Sequence, residues 1–167
     1  MLNPIDPAAV IRDGGAVGHY PGQIHEGVAW WLGACLVVTA RTSRLAAAHD
    51  GQLISDAFAD RLCRGAINAQ HYACTVRHLG KLSEDELLAH LGTFRAPGAW
   101  LSSETTGDVV TVRIRLYTAQ GALLDEANGL AAIRELIAQD HVPRPVNSQA
   151  KGTIEWWHPT ATDGARP

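Results

Sequence analysis

The chain has 167 residues, 46% of them hydrophobic and 19% charged, with a formal net charge of −3. That size suits one globular domain with a real core, and the interspersed charges leave no basic stripe of the kind nucleic acid needs. The N-terminal stretch MLNPIDPAAVIRD lacks the charged and apolar regions of a secretion signal, and the longest apolar run, Val28 to Val38, is too short to span a bilayer.

Residues 1–22 are rich in Gly and Pro without a periodic pattern and read as a lead-in loop. Residues 23–40 carry Ile24, Val28, Trp31, Leu32, Cys35 and Val38 at helical spacing, with Trp30 off that stripe. Arg44 to Ala48 reads as a buried strand ending in the turn His49-Asp50-Gly51. Ser55 or Asp56 is placed to cap a helix running to about residue 69, with Phe58, Leu62, Ala66 and Ile67 inward. A strand over 72–79 follows. Ser83-Glu84-Asp85-Glu86 forms a capping box that opens a helix with Leu87, Leu88 and Leu91 on one side.

Ala99-Trp100-Leu101 predicts a short strand, Ser102 to Asp108 a polar loop, and residues 109–118 a long alternating strand. Val110, Val112, Ile114 and Leu116 share one face of it; Thr111, Arg113, Arg115 and Tyr117 share the other. A helix over 128–139 comes next, and Thr153 to Trp157 predicts an added edge strand before a frayed tail. Helices alternate with strands, so the fold class is α/β: a single three-layer αβα domain on a mostly parallel mixed sheet. The domain spans 1–142, and 143–167 is a C-terminal extension. Cys35, Cys63 and Cys74 sit in apolar patterns and read as reduced core residues of a cytoplasmic protein.

The 102–108 loop, rich in hydroxyls, lies where open α/β sheets bind ligands, beyond a strand end. It also suits a plain connection whose Ser, Thr and Asp satisfy their own backbone. If both loops lie at one sheet end, Ser102 or Ser103 with His49 and Asp50 can form a nucleophile, base and orienter. Trp100 is either core or an aromatic wall for a ligand. Arg113 and Arg115 share a polar face and either bind an anion or remain solvated. The eight histidines show no metal-type spacing, so no metal is expected.

The string RLAAAHDGQLISDAFADRLCRGA, then YACTVRHLG and SEDELLAHLG, then APGAWLSSETTG and VRIRLYTAQGALL, and finally GLAAIREL resembles in order and spacing the first domain of the α-D-phosphohexomutases, the phosphomannomutase and phosphoglucomutase family. The resemblance covers roughly residues 10–140. In that family the strand beginning Pro-Gly-Ala runs into a loop Thr-Ala-Ser-His-Asn-Pro. Its serine is phosphorylated and passes the phosphoryl group to a hexose phosphate, with a metal and cationic clamps.

Aligned forward from Pro97-Gly98-Ala99, Glu104 stands at the serine position; aligned backward from the long strand, Thr105 does. The family's His and Asn fall on Thr105 and Thr106, or on Thr106 and Gly107, and are absent. Arg115 matches the family's strand lysine and Arg12 its N-terminal arginine. Arg115 keeps the charge but cannot shuttle a proton near neutral pH. The family's metal, sugar and phosphate loops lie in later domains not contained in these residues.

The resemblance therefore implies a domain without mutase activity or cofactor. Two functions are expected from it. One is a binding, regulatory or docking protein for a sugar-phosphate-like metabolite or a protein partner, forming homo-oligomers through exposed sheet edges. The other is an enzyme repurposed for a specialised metabolite, with Glu104, Thr105, Ser103, His49 and Asp50 at the chemistry and Arg12, Trp100, Ser102, Thr106, Arg113 and Arg115 around the ligand.

Overall fold

Val112, Ile114 and Leu116, alternate residues of the long strand, are fully buried on one face of a six-stranded sheet. The computed structural model describes residues 5–69, 74–143 and 151–157. In chain order the elements are α1 (Pro7–Val10), β1 (Gly15–Tyr20), α2 (Glu26–Ala40), β2 (Arg44–His49), α3 (Leu53–Ile67), β3 (Thr75–Lys81), α4 (Glu84–Phe94), β4 (Gly98–Thr106), β5 (Val109–Tyr117), a π turn (Glu126–Leu130), α5 (Ala131–Ala138) and β6 (Thr153–Trp156). The sheet order is β1-β5-β4-β2-β3-β6. β5 pairs antiparallel with both β1 and β4, while β2 with β3, β2 with β4, and β3 with β6 are parallel.

Helices cover both faces, giving the expected three-layer α/β fold. On one side α2, α3 and α5 bury Val28, Leu32, Leu36, Phe58, Leu62 and Ile133 against Leu45, Ala47, Leu101 and Ile114. On the other, α4 sets Leu87, Leu91 and Phe94 on Ala46, Ala48 and Leu79. The α4 capping box is formed: Glu86 N–H donates to Ser83 Oγ and Ser83 N–H to Glu86 Oε2. The three cysteines are buried and unpaired, and burial raises each thiol's pKa, which keeps them inert. No helix among the described residues is long and apolar enough to cross a membrane.

Four expectations change. The lead-in contains α1 and β1. The strand pattern of β1 is hidden because Gly15 and Gly18 contribute no side chain to an alternation. The 102–108 loop is strand as far as Thr106, and only Gly107 and Asp108 turn the chain, with Thr106 opposite Val109. Gly107 takes φ +61° at the first central position, the place a type II′ hairpin reserves for glycine. Neither Ser55 nor Asp56 caps α3, which starts at Leu53 behind Gln52. The last helix, expected over 128–139, is α5 and begins at Ala131, behind a π turn that Asp125 and Asn128 cap reciprocally. The strand expected over 72–79 is Thr75–Lys81 among the described residues, with Tyr72 and Ala73 outside them. The edge strand at 153–157 is β6. The frayed tail also lies outside the described residues.

α2 and α3 touch at two glycines. A Cβ on Gly33 would meet Leu62 O at 2.0 Å, and one on Gly65 would meet Trp30 O at 2.0 Å. Backbone atoms cannot step aside as a flexible side chain can. Gly65→Ala is expected to lower stability by about 1–3 kcal/mol through overpacking, read as a lower denaturant midpoint. An unchanged midpoint would mean that the helices do not approach this closely.

Candidate functional site

Parallel pairing places the C-terminal ends of β2, β3 and β4 side by side, with His49 opposite Leu101 on one flank and Lys81 on the other. Asp50, the first residue after β2, fastens three elements there. Its N–H donates to Leu101 O at 3.0 Å. Its carboxylate accepts from Gln52 N–H at 3.0 Å and from Ser103 N–H at 3.0 Å. Buried Ser55, in the first turn of α3, donates its hydroxyl to Ser103 Oγ at 2.9 Å.

On the α3 side of the same strand ends, two buried imidazoles face one carboxylate. His49 Nδ1 accepts from Gly51 N–H at 3.0 Å, and His78 Nδ1 accepts from Gly80 N–H at 3.3 Å. The neutral rings thus carry their proton on Nε2. His49 Nε2 lies 3.4 Å and His78 Nε2 4.0 Å from Asp56 Oδ1. His78 is 2% exposed and its Nε2 has no hydrogen-bond partner. Trp156 of β6 stacks on His78 at 4.3 Å while remaining 57% exposed itself. Burial pushes both histidines below their ordinary pKa, and Asp56 only partly opposes this. With protons on Nε2 the pair offers donors rather than lone pairs, and among the described residues no cluster of three or more ligating side chains is arranged to hold a metal.

The residues expected from the sequence divide among several places. His49, Asp50 and Ser103 do meet at one strand end. Asp50, however, binds backbone N–H groups, and the His49 ring turns to Asp56, so a Ser-His-Asp relay is not assembled. Trp100, Ser102, Arg113 and Arg115 share the α4 side of the sheet. Trp100 Nε1–H donates to Leu82 O at 3.0 Å and borders an open cleft of about 410 Å³ with Asp50, Lys81, Ser83 and Glu86. Ser102 lies opposite Arg113 in the ladder. Arg115 bonds both oxygens of Glu84 at 3.0 Å, and Tyr117 O–H donates to the same carboxylate at 2.6 Å. Burial and that carboxylate push the Tyr117 pKa up to about 12. Arg115 therefore ties α4 to β5.

Glu104, Thr105 and Thr106 stand exposed near the hairpin tip, opposite Thr111, Val110 and Val109. Arg12 precedes β1 at the other end of the sheet and pairs with Asp13. Sequence reasoning missed Asp56 and His78 as partners of His49. The one available signal was polar: a histidine in the inward register of β3, two residues after buried Val76.

Comparison with known proteins places the fold. No protein-family model matches the chain, and no curated protein sequence matches it. Among solved structures it is similar to a phosphoglucomutase/phosphomannomutase family protein from Burkholderia thailandensis, with TM-score 0.68, 14% identity and coverage of 96% of this chain and 35% of that one. It is also similar to a protein assigned as a phosphomannomutase from Thermus thermophilus, with TM-score 0.67, 20% identity and coverage of 95% and 34%. The chain thus spans about a third of the length of each structure and shares its fold over that third.

The histidine pair has a measurable consequence. Both folded-state pKa values lie below the unfolded value of about 6.5. The unfolded chain therefore binds protons first as pH falls. Stability is complete above about pH 6.5 and declines as pH drops toward the lowered folded values. Burial is the main cause in both; His49 further lowers His78, while Asp56 opposes the shift in both rings, Asp50 in His49 and Asp60 in His78. The decline should be smaller in His78→Gln, read as Tm against pH; equal slopes in both proteins would remove the histidines from the account.

Proposed function

We propose that this chain is a binding or docking protein built on a phosphohexomutase-type fold and without mutase chemistry, taking a sugar-phosphate-like metabolite or a protein partner. The observation that carries this reading is the β4–β5 hairpin. Phosphoryl transfer needs a hydroxyl held in line by a loop that can approach substrate, with cations around the transferred group. Here the corresponding residues, Ser103 to Thr106, are locked into ladder pairs up to a two-residue turn. Ser103 is held by Asp50 and Ser55, and the matched cation Arg115 is bound to Glu84. Glu104 has no ion-pair or hydrogen-bond partner among the described residues. Self-association through the sheet edges β1 and β6 accords with the docking reading.

A second reading, a repurposed enzyme, draws support from the unpartnered Nε2 of His78 beside His49 and Asp56. A combined Glu104→Gln, His49→Ala and Arg115→Ala variant that keeps the chain's full biological activity would remove it.

Incubation with glucose or mannose phosphates and magnesium is expected to give no interconversion. Measurable turnover, abolished by Ser103→Ala, would overturn the binding-protein reading.

A further inference from the structure

A cavity of about 330 Å³ lies at the opposite end of the sheet, where β2 and β4 begin and β5 ends. Arg41 and Arg95 line it, and no acidic residue does. Both arginines are exposed to solvent, and neither guanidinium has an ion pair or hydrogen bond among the described residues. Gln120 and Asn128 also line the cavity. Asn128 Oδ1 accepts from Asp125 N–H, which leaves its amide N–H groups as donors. Leu36, Pro97 and Leu124 supply an apolar wall.

The backbone at both arginines is informative. Arg41 ends α2 with φ +50° and Arg95 ends α4 with φ +55°. Arg41 sits in a Schellman closure, with Thr42 N–H on Val37 O and Arg41 N–H on Val38 O. Arg95 sits in the simpler left-handed closure, with its N–H on Leu91 O at 2.7 Å. Both are positions where glycine prevails and a Cβ is penalised. Among the described residues, the other non-glycine residues with positive φ are Asp13 and Asp140, a type that tolerates this region. The two arginines are the exceptions, and they line the same cavity. Complementing a helix dipole would explain one basic side chain near a helix end, in ordinary backbone. It does not explain two arginines held at unfavourable φ around one acid-free space.

We propose that this cavity binds a small organic phosphomonoester, its phosphate between Arg41 and Arg95 and its organic part against Leu36, Pro97 and Leu124. Guanidinium groups match the geometry and charge of phosphate, and the volume lies in the range of small-molecule sites, roughly 300–1,000 Å³. The site is separate from the His49–Asp50–Ser103 end and does not depend on the function proposed for it.

The test is calorimetric titration and thermal shift with glycerol phosphate, inorganic phosphate and glycerol at matched ionic strength. Glycerol phosphate should bind and raise Tm, inorganic phosphate should bind more weakly, and glycerol should do neither. Arg41→Gly/Arg95→Gly relieves the backbone, so its unliganded Tm should equal or exceed that of the parent. Its affinity should fall by about tenfold or more per guanidinium lost. Arg41→Gln/Arg95→Gln keeps the backbone cost, removes the charge, and should show the same loss. Undiminished binding in both variants would overturn the site, as would a lower Tm in the glycine variant. Equal binding of inorganic and glycerol phosphate would overturn the organic part of the ligand.

Discussion

The register of β4 against β5 decides where nearly every polar group in this protein sits. Nine residue pairs, from Gly98 opposite Tyr117 to Thr106 opposite Val109, run without a bulge. Side chains alternate along a strand, so a slip of one residue would exchange its faces. Val112, Ile114 and Leu116 would leave the core, and Arg113 and Arg115 would enter it. That cost holds the register, and the register in turn delivers Ser103 to Asp50 and Arg115 to Glu84. Because the ladder continues to a two-residue turn, no slack remains between the strands. The residues between the two strands are thus used as a regular hairpin.

The two ends of the sheet then differ in electrostatic character. At the C-terminal ends of the parallel strands, two buried histidines face Asp56, and Asp50 is satisfied by backbone N–H groups. Among buried side-chain polar atoms of the described residues, His78 Nε2 lacks a partner. At the other end Arg41 and Arg95 face a cavity with no carboxylate in its lining.

Much of this fold could be read from residue patterns, because several elements bury one face and expose the other. β5 shows it plainly, and so does α4 with its Ser83–Glu86 box. β1 was hidden because two of its six residues are glycines. The continuation of β4 was hidden because beyond Leu101 neither face meets the core, so Ser102 to Thr106 carry no hydrophobic period. The site was less legible. The proximity of His49, Asp50 and Ser103 followed from placing two loops at one sheet end. Their actual partners depended on which way each ring and carboxylate turns, and spacing alone does not encode that. Asp56 looked like a helix cap and serves instead as the group both histidines face.

The arginine cavity shows the limit of linear reading most clearly. With 14 basic and 17 acidic residues interspersed along the chain, no basic stretch stands out. Arg41 and Arg95 are far apart in sequence, and the pairing of β2 with β4 brings their helix ends together. Their left-handed conformation is also invisible in the residue string, since arginine there contradicts the usual preference for glycine. Proteins whose local choices mostly agree with the global fold depart from that agreement where another demand outweighs it. In this chain the departures at positive φ coincide with unpaired charge, and both features lie around one cavity. Two such coincidences at one place are better explained by a ligand's requirement than by folding, because folding alone favours glycine at both sites.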